Sequence, residues 1–291
     1  MRYHGGKFKL KLWIYEFLPA HQVYVEPFGG AASVLMGKPR VYCEVYNDLD
    51  SEIVNVFRVL RDPAEAAALE RLCFLTPYSH EEFDAAYEKS ADPVEQARRT
   101  IVKSFLGFGS ASATLEAPTS AGGGFWAPTG FRSNSNRNHT TPATDWANYP
   151  KEIRHFTERL RGVVIENRDA KLVMAQHDRP DCLHYVDPPY IHSTRKVRKY
   201  RNCKGYRHEM TDHQHLSLLE FLQTLEGMVV LNGHPHEMYD QALPGWRKVE
   251  KTVKADGGGH GYSTSDRVEC LWLNPATQAG LQRSLFEFSG A

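Results

Sequence analysis

The hydrophobic and polar positions of the chain alternate between short strand-like runs and longer stretches with helical spacing. Runs rich in β-branched and aromatic residues predict strands at 23–26, 41–46, 163–166, 183–186 and 228–231, and a closing hairpin at 246–253 and 268–273. Apolar residues at helical spacing predict amphipathic helices between most of these strands. Alternating strands and helices favour an α/β fold with a mixed, mostly parallel sheet.

The alternation is interrupted between residues 61 and 144. Acid-rich helices are predicted at 64–72 and 81–89 and a third helix at 98–106, and residues 107–144 are rich in Gly, Ser, Thr, Asn and Pro. A loop of that length in a compact domain is either functional or disordered. We therefore expect a main domain formed by 1–60 and 145–291, with an inserted region at 61–144.

Composition narrows the class of protein. The chain has 291 residues, with 35 basic and 35 acidic side chains, so its formal charge of zero does not point to a polyanionic partner. It has no run of about 18 apolar residues and no apolar signal-peptide core, which predicts a cytoplasmic protein without a membrane partner. Its five cysteines are scattered without a Cys-x-x-Cys pair, so neither a disulfide framework nor a zinc site is expected.

The strongest chemical pattern is a strand that stops against two prolines, at Asp187-Pro188-Pro189-Tyr190. The prolines hold this corner extended, which presents the Asp187 carboxylate and the Pro188 carbonyl as two neighbouring acceptors. Tyr190 adds an aromatic face on which a planar group can stack. The corner suits a flat heterocycle that carries an amine, although an ordinary strand-to-loop turn is the alternative.

A second pattern lies at the first strand, where Glu26-Pro27 runs into the small-residue turn Phe28-Gly29-Gly30. A strand, a glycine turn and a following helix form a site for a nucleotide-like ligand in doubly wound folds. Asp48 follows the second strand, where an acid either accepts from a ribose diol or caps the next helix. Asp169 has the same ambiguity, between an adenine amine and the start of a helix. Lys7 follows a glycine pair. It either reaches an anionic group of the ligand or belongs to a flexible amino-terminal segment.

Two segments have the composition of a nucleic-acid contact. Residues 195–207 contain seven cations, two tyrosines and no acid, and we expect this segment to meet phosphate. In the inserted region, Arg132 and Arg137 are residues of the type that reads guanine edges, and Phe131 could stack on a base, although a mobile surface loop explains them equally well. The pairs His213-x-His215 and His234-x-His236 invite a metal site, which we reject because no carboxylate or thiolate cluster completes it.

Taken together and in order, these motifs resemble those of the Dam-like, D12 class of DNA adenine methyltransferases, in particular phage and prophage members. The resemblance covers nearly the whole chain except about 107–144. The motifs that carry it are Arg2-Tyr3-His4-Gly5-Gly6-Lys7, Glu26-Pro27-Phe28-Gly29-Gly30, Asn47-Asp48, Asp169 and Asp187-Pro188-Pro189-Tyr190.

The resemblance implies a Rossmann-like, S-adenosylmethionine-dependent methyltransferase fold acting in a bacterial cell or phage-infected host. The cofactor, S-adenosyl-L-methionine, would be bound by Tyr3, Lys7, Glu26, Phe28, Gly29, Gly30, Asp48, Asp169 and Asp187. The target adenine would be flipped from double-stranded DNA onto Tyr190, with its amine at Asp187 and Pro188. The inserted region would recognise the target, Arg195, Lys196, Arg198 and Lys199 would contact DNA, and no metal would be needed.

Three other functions remain open. A nicotinamide-dependent dehydrogenase shares the glycine turn and the acid after the second strand, but it leaves the Asp187 corner and the basic segment unexplained. A cytosine-amine methyltransferase would more usually have Ser at the position of Asp187. A DNA-binding module without catalysis would not need the Asp187 corner or the glycine turn.

Overall fold

The computed structural model describes residues 6–107, 130–133, 141–194, 206–254 and 266–288. Within these ranges seven strands form one sheet in the order β3-β2-β1-β4-β5-β7-β6. The strands are β1 Val23–Glu26, β2 Cys43–Asn47, β3 Val163–Glu166, β4 Cys182–Val186, β5 Met228–Gly233, β6 Arg247–Lys254 and β7 Asp266–Leu273.

The first five strands of this order are parallel, and β7 lies antiparallel between β5 and β6. The order in which the strands are added reverses at β1, because β2 lies on one side of it and β4 on the other. In open parallel sheets such a reversal creates a crevice at the carboxyl ends of the strands. The predicted Rossmann-like fold with a mixed, mostly parallel sheet is confirmed.

Helices cover both faces of the sheet. They are α1 Lys11–Tyr15, α2 Ser51–Arg61, α3 Pro63–Leu75, α4 His80–Ala85, α5 Pro93–Leu106, α6 Pro142–Asn148, α7 Ile153–Leu160, α8 Ala170–His177, α9 Asp212–Leu222, α10 Glu237–Ala242 and α11 Pro275–Phe288. Side-chain caps begin several of them: Asp50 accepts from the Glu52 N–H of α2, and Thr211 forms a capping box with Gln214 at α9.

Two buried clusters fill the faces of the sheet. One combines strand residues such as Tyr24 and Tyr185 with side chains of α1, α2, α3, α5 and α7. The other combines the alternate strand residues with α8, α9 and α10. Because α3 and α5 belong to the inserted region, their apolar faces are buried in the same cluster as α2, against the sheet.

The structure corrects the sequence prediction after the glycine turn. Residues 30–37 form consecutive turns, where the sequence pattern predicts a helix. Gly30 and Ala32 have φ angles of 48° and 51°, outside the helical region. The N–H of Leu35 donates to the Glu26 carboxylate at 2.9 Å, so a side chain takes a donor that a helix would use internally.

Other predicted helices differ in length. The first helix has only five residues and ends at Tyr15, and its Leu12 is 72% exposed. The helix predicted at 81–89 ends at Ala85. Helices α10 and α11 are not predicted by the sequence pattern; α10 has only six residues, too few for a clear helical periodicity.

Candidate active site

A cleft of about 900 Å³ opens at the carboxyl ends of β1, β2 and β4. Residues that the sequence pattern picked out from four separate stretches line it together. They are Lys7, Glu26, Phe28, Gly29, Gly30, Asp48, Asp187 and Pro189. In open α/β sheets, ligands typically bind in a cleft at the carboxyl ends of the strands, where several polar groups converge.

The glycine turn is held by packing and by a hydrogen bond. A side chain on Gly29 would overlap the ring of Tyr46, so only glycine fits there. The N–H of Gly30 donates to Asp48 Oδ2 at 2.8 Å, and Asp48 Oδ1 accepts from the Asp50 N–H at 2.8 Å. Asp48 therefore ties the turn after β1 to the start of α2, whose capping residue is Asp50. Burial raises the pKa of Asp48 to about 6.

Glu26 lies beneath this turn and is 3% exposed. Its Oε2 accepts from the Tyr24 hydroxyl at 2.8 Å and from the Leu35 N–H at 2.9 Å. Burial raises its pKa to about 8, despite these two donors. Burial thus favours the neutral form of this carboxyl.

The Asp187 corner contains a buried ion pair. Lys7 Nζ lies 2.7 Å from Asp187 Oδ2, and the two side chains are 6% and 14% exposed. Asp187 Oδ1 is also buried, and none of the donors in the described residues reaches it. Burial raises the pKa of Asp187 to about 6, while the Lys7 ammonium lowers it and the Glu269 carboxylate raises it. A buried acceptor without a donor is costly, so it indicates a position where a ligand donates.

Two prolines end the strand that carries this acid. Strand β4 stops at Val186, and Pro188 and Pro189 cannot continue its hydrogen-bond ladder with β5. Pro188 is buried, while Pro189 lines the cleft. Asp187 is thus held at the strand end, at the mouth of the cleft.

The Tyr190 ring is held by its hydroxyl and by its faces. The hydroxyl donates to Glu269 Oε2 at 2.8 Å. Lys7 Nζ lies 4.8 Å from the ring centroid, and the His234 ring meets it edge-on at 4.4 Å. The strand–proline–tyrosine pattern predicted the aromatic face, but not these three partners.

A wall of the cleft that the sequence did not predict comes from residues 206–210 and Gln214, just before and within α9. Arg207 connects this wall to the start of α2. Its guanidinium lies 2.5 Å from Asp50 Oδ1 and 3.1 Å from Glu52 Oε2. Glu52 also accepts from Lys103 of α5 at 2.8 Å. Arg207, the last cation of the 195–207 segment, is thus paired with two acids at the start of α2. Contact of this segment with phosphate stays a prediction.

Asp169 caps α8. Its Oδ1 accepts from the N–H groups of Lys171 and Leu172 at 2.9 and 3.3 Å, and its neighbour Ala170 lines the cleft. The helix-start alternative thus describes its hydrogen bonds, which leave Oδ2 available to a ligand. A contact with an adenine amine stays a prediction.

Arg132 lies beside the carboxyl end of α5. Its backbone N–H donates to the Leu106 carbonyl at 2.7 Å, and its backbone carbonyl accepts from the Tyr78 hydroxyl at 2.7 Å. Phe131, a candidate for stacking on a base, packs instead on His80, at 5.1 Å between ring centroids. The other predicted contacts, Tyr3, Arg137, Arg195, Lys196, Arg198 and Lys199, lie outside the described residues.

Three of the four histidines considered as metal ligands have other partners, and the fourth, His213, is exposed. His215 Nδ1 lies 2.9 Å from the Tyr239 hydroxyl, His234 Nδ1 lies 3.0 Å from the Val268 carbonyl, and His236 caps α10. In the described ranges no three His, Cys, Asp or Glu side chains are grouped to hold a metal ion. No helix among the described residues is both long and apolar enough to cross a membrane.

Comparison with known proteins agrees with this geometry. Residues 3–242 match the model of the D12 class N6 adenine-specific DNA methyltransferase family. No curated protein matches the chain. The matched region contains the glycine turn, the inserted helices and the Asp187 corner, and it spans well over half of the sequence. The chain therefore belongs to the D12 class N6 adenine-specific DNA methyltransferase family.

Proposed function

We propose that this protein transfers a methyl group from S-adenosyl-L-methionine to the exocyclic amine of an adenine flipped out of double-stranded DNA. Family membership supports adenine methylation of DNA in general. The observation that carries the finer proposal is Asp187 Oδ1, a buried acceptor at the mouth of the cleft to which no described donor reaches. An amine hydrogen of the target base would satisfy it.

The lining of the cleft fits the cofactor. When bound, S-adenosylmethionine supplies a methyl group on a positively charged sulfur. Glu26, Asp48 and Asp187 face a ligand that carries a sulfonium and an ammonium, and each oxygen of Asp48 still has a lone pair for a ribose hydroxyl. Gly29 contributes only backbone to the cleft lining, since the Tyr46 ring fills the space that its side chain would take.

The Asp187 corner would then activate the target. An aromatic amine is a poor nucleophile, because its lone pair is delocalised into the ring. Asp187 Oδ1 and the Pro188 carbonyl would accept its two hydrogens and localise that pair on nitrogen. Lys7 keeps Asp187 ionised for this task, since an opposite charge at 2.7 Å favours the carboxylate. The Tyr190 ring would hold the base by stacking.

The proposal is tested by incubating the purified protein with duplex DNA and S-adenosylmethionine that carries an isotopically labelled methyl group. We expect labelled N6-methyladenine in the nucleoside digest. Labelled N4-methylcytosine in its place would favour the cytosine-amine alternative. Tight binding of a nicotinamide dinucleotide, without binding of S-adenosylmethionine, would favour the dehydrogenase.

Asp48 should contribute to cofactor affinity. We expect Asp48→Ala to weaken S-adenosylmethionine binding by about 1.5–3 kcal/mol, the usual range for hydrogen bonds to a charged group, as measured by calorimetry. Asp62→Ala is a matched control, because Asp62 is an exposed acid that caps α3 outside the cleft. A dissociation constant that Asp48→Ala leaves at the wild-type value would restrict Asp48 to holding the turn.

The basic segment should bind phosphate without reading sequence. Each neutralised phosphate contributes roughly 0.9 to the slope of log affinity against log salt on duplex DNA. We expect Lys196→Ala combined with Lys199→Ala to flatten that slope by up to about two units, equally for cognate and non-cognate duplexes. Arg195 and Arg198 would share this role, whereas Arg132 and Arg137 would read bases. A slope equal to that of the wild type would place both lysines in solvent.

A further inference from the structure

The acceptor of the Tyr190 hydroxyl belongs to a strand outside the predicted motifs. Glu269 lies on β7, and its side chain is buried at 9% exposure. Tyr190 donates to its Oε2 at 2.8 Å across 79 residues of sequence. Among the described residues, no Lys or Arg forms an ion pair with Glu269, although Lys251 is its backbone partner on β6. A buried carboxylate is stabilised by the hydrogen bonds it accepts, so the hydrogen bond from the Tyr190 hydroxyl should be a strong one.

We propose that Glu269 is a positioning residue that both fixes and polarises the Tyr190 ring, and that it acts on methyl transfer through that ring. The proposal rests on the proposed function, in which the target adenine stacks on Tyr190. It assigns a role to a carboxylate that touches neither the cleft lining nor the Asp187 ion pair.

The first part of this role is geometric. A tyrosine held only by a face can pivot about its side-chain torsions, whereas the Glu269 contact holds the far end of the ring. His234, at 4.4 Å and 71° to the ring, limits its rotation from another side. Fixing a stacking surface in advance reduces the ordering that is needed when the base arrives.

The second part is electrostatic. A phenol that donates to a carboxylate becomes richer in electrons, which makes its ring face more attractive to cations. The face already attracts one cation, since Lys7 Nζ lies 4.8 Å from its centroid. When the amine attacks the methyl group, the N–C bond would form as the C–S bond of the sulfonium breaks, and the sulfur would leave as a neutral thioether. Positive charge would then pass to the adenine until Asp187 takes the amine proton. An electron-rich ring therefore stabilises the transition state more than the neutral ground state, which raises the rate of transfer rather than the affinity.

Two substitutions separate the parts. Glu269→Gln retains an oxygen that accepts from Tyr190 but removes the negative charge, and Glu269→Leu removes the acceptor. We expect single-turnover methylation to slow about 10-fold in the first and about 100-fold in the second, the range expected for a hydrogen bond to a charged group. The dissociation constants for DNA and S-adenosylmethionine should stay within about twofold, because the change acts on the transition state.

Glu250→Gln is the matched control. Glu250 is an exposed acid on β6, directly opposite Cys270, the residue that follows Glu269. It is paired with Lys248 at the surface, away from Tyr190. We expect this variant to methylate at the wild-type rate.

The Tyr190→Phe background distinguishes positioning from a general effect on the fold. If Glu269 acts through the hydroxyl, Glu269→Gln should change the rate less than about twofold once that hydroxyl is gone, because the coupled pair is already broken. An undiminished effect in that background would overturn the proposal, as would wild-type turnover in Glu269→Gln. Failure of the proposed function gives a different result, since the wild-type protein itself would then produce no N6-methyladenine.

Discussion

Asp187→Ala reduces methyl transfer by about 10²- to 10⁴-fold, the contribution expected from a positioned proton acceptor, and leaves duplex affinity nearly unchanged. The variant loses the buried Oδ1 that would accept from the target amine, while few phosphate contacts depend on this acid. The measurement is single-turnover methylation at saturating cofactor, together with an equilibrium DNA-binding assay. Turnover close to that of the wild type would contradict the proposed activation of the amine.

The pH profile of the wild-type protein provides a second view of the same residue. A protonated Asp187 would not accept as strongly, so the rate should rise as pH increases through about 6, the pKa to which burial brings this carboxyl, and then level off. Burial also raises the pKa of Asp48 to about 6. Saturating cofactor separates the two acids, because Asp48 would affect binding and Asp187 the chemical step.

Lys7→Met tests the same carboxylate through its ion-pair partner. The ammonium lowers the pKa of Asp187, so its removal raises that pKa and moves the acidic limb of the rate profile to higher pH. Below its pKa, a carboxyl loses ionised fraction about tenfold for every step of one in pH. We therefore expect a several-fold loss of rate at neutral pH, which shrinks as the pH is raised.

A matched control for this variant is Lys9→Met, which changes an exposed lysine two residues away. It should preserve the position of the acidic limb. A Lys7→Met profile that is lower at every pH but not shifted would mean that the lysine acts by packing or by holding the cofactor, and not by keeping Asp187 charged.

The sequence predicted the parts of the site that have a local pattern. The glycine turn, Asp48 and the Asp187 corner each follow a strand, and strand ends of a parallel sheet meet at one edge, so their convergence follows from the fold class. The strands also have a local pattern, because runs rich in β-branched and aromatic residues favour the extended conformation.

The partners of these residues have no local pattern. Lys7 meets Asp187, Tyr190 meets Glu269, and Arg207 meets Asp50 and Glu52 across long stretches of sequence. These pairs depend on how distant segments come together around the sheet, and the Tyr190–Glu269 pair also requires β7 to lie next to β5, which no sequence periodicity reports. The helix predicted after Gly30 was wrong for a similar reason, because the Glu26 side chain competes for its backbone donors.

Glu52 joins the inserted region to the rest of the molecule, because its carboxylate forms ion pairs with both Lys103 of α5 and Arg207 of the cleft wall. The apolar faces of α3 and α5 are also buried in the cluster that contains α2. These helices therefore cannot be exchanged as a cassette. A chimera with the inserted helices of another family member would leave a buried lysine or a carboxylate without its partner unless both residues were exchanged together. Exchanges in the inserted region should therefore begin beyond α5 and leave its packed face intact.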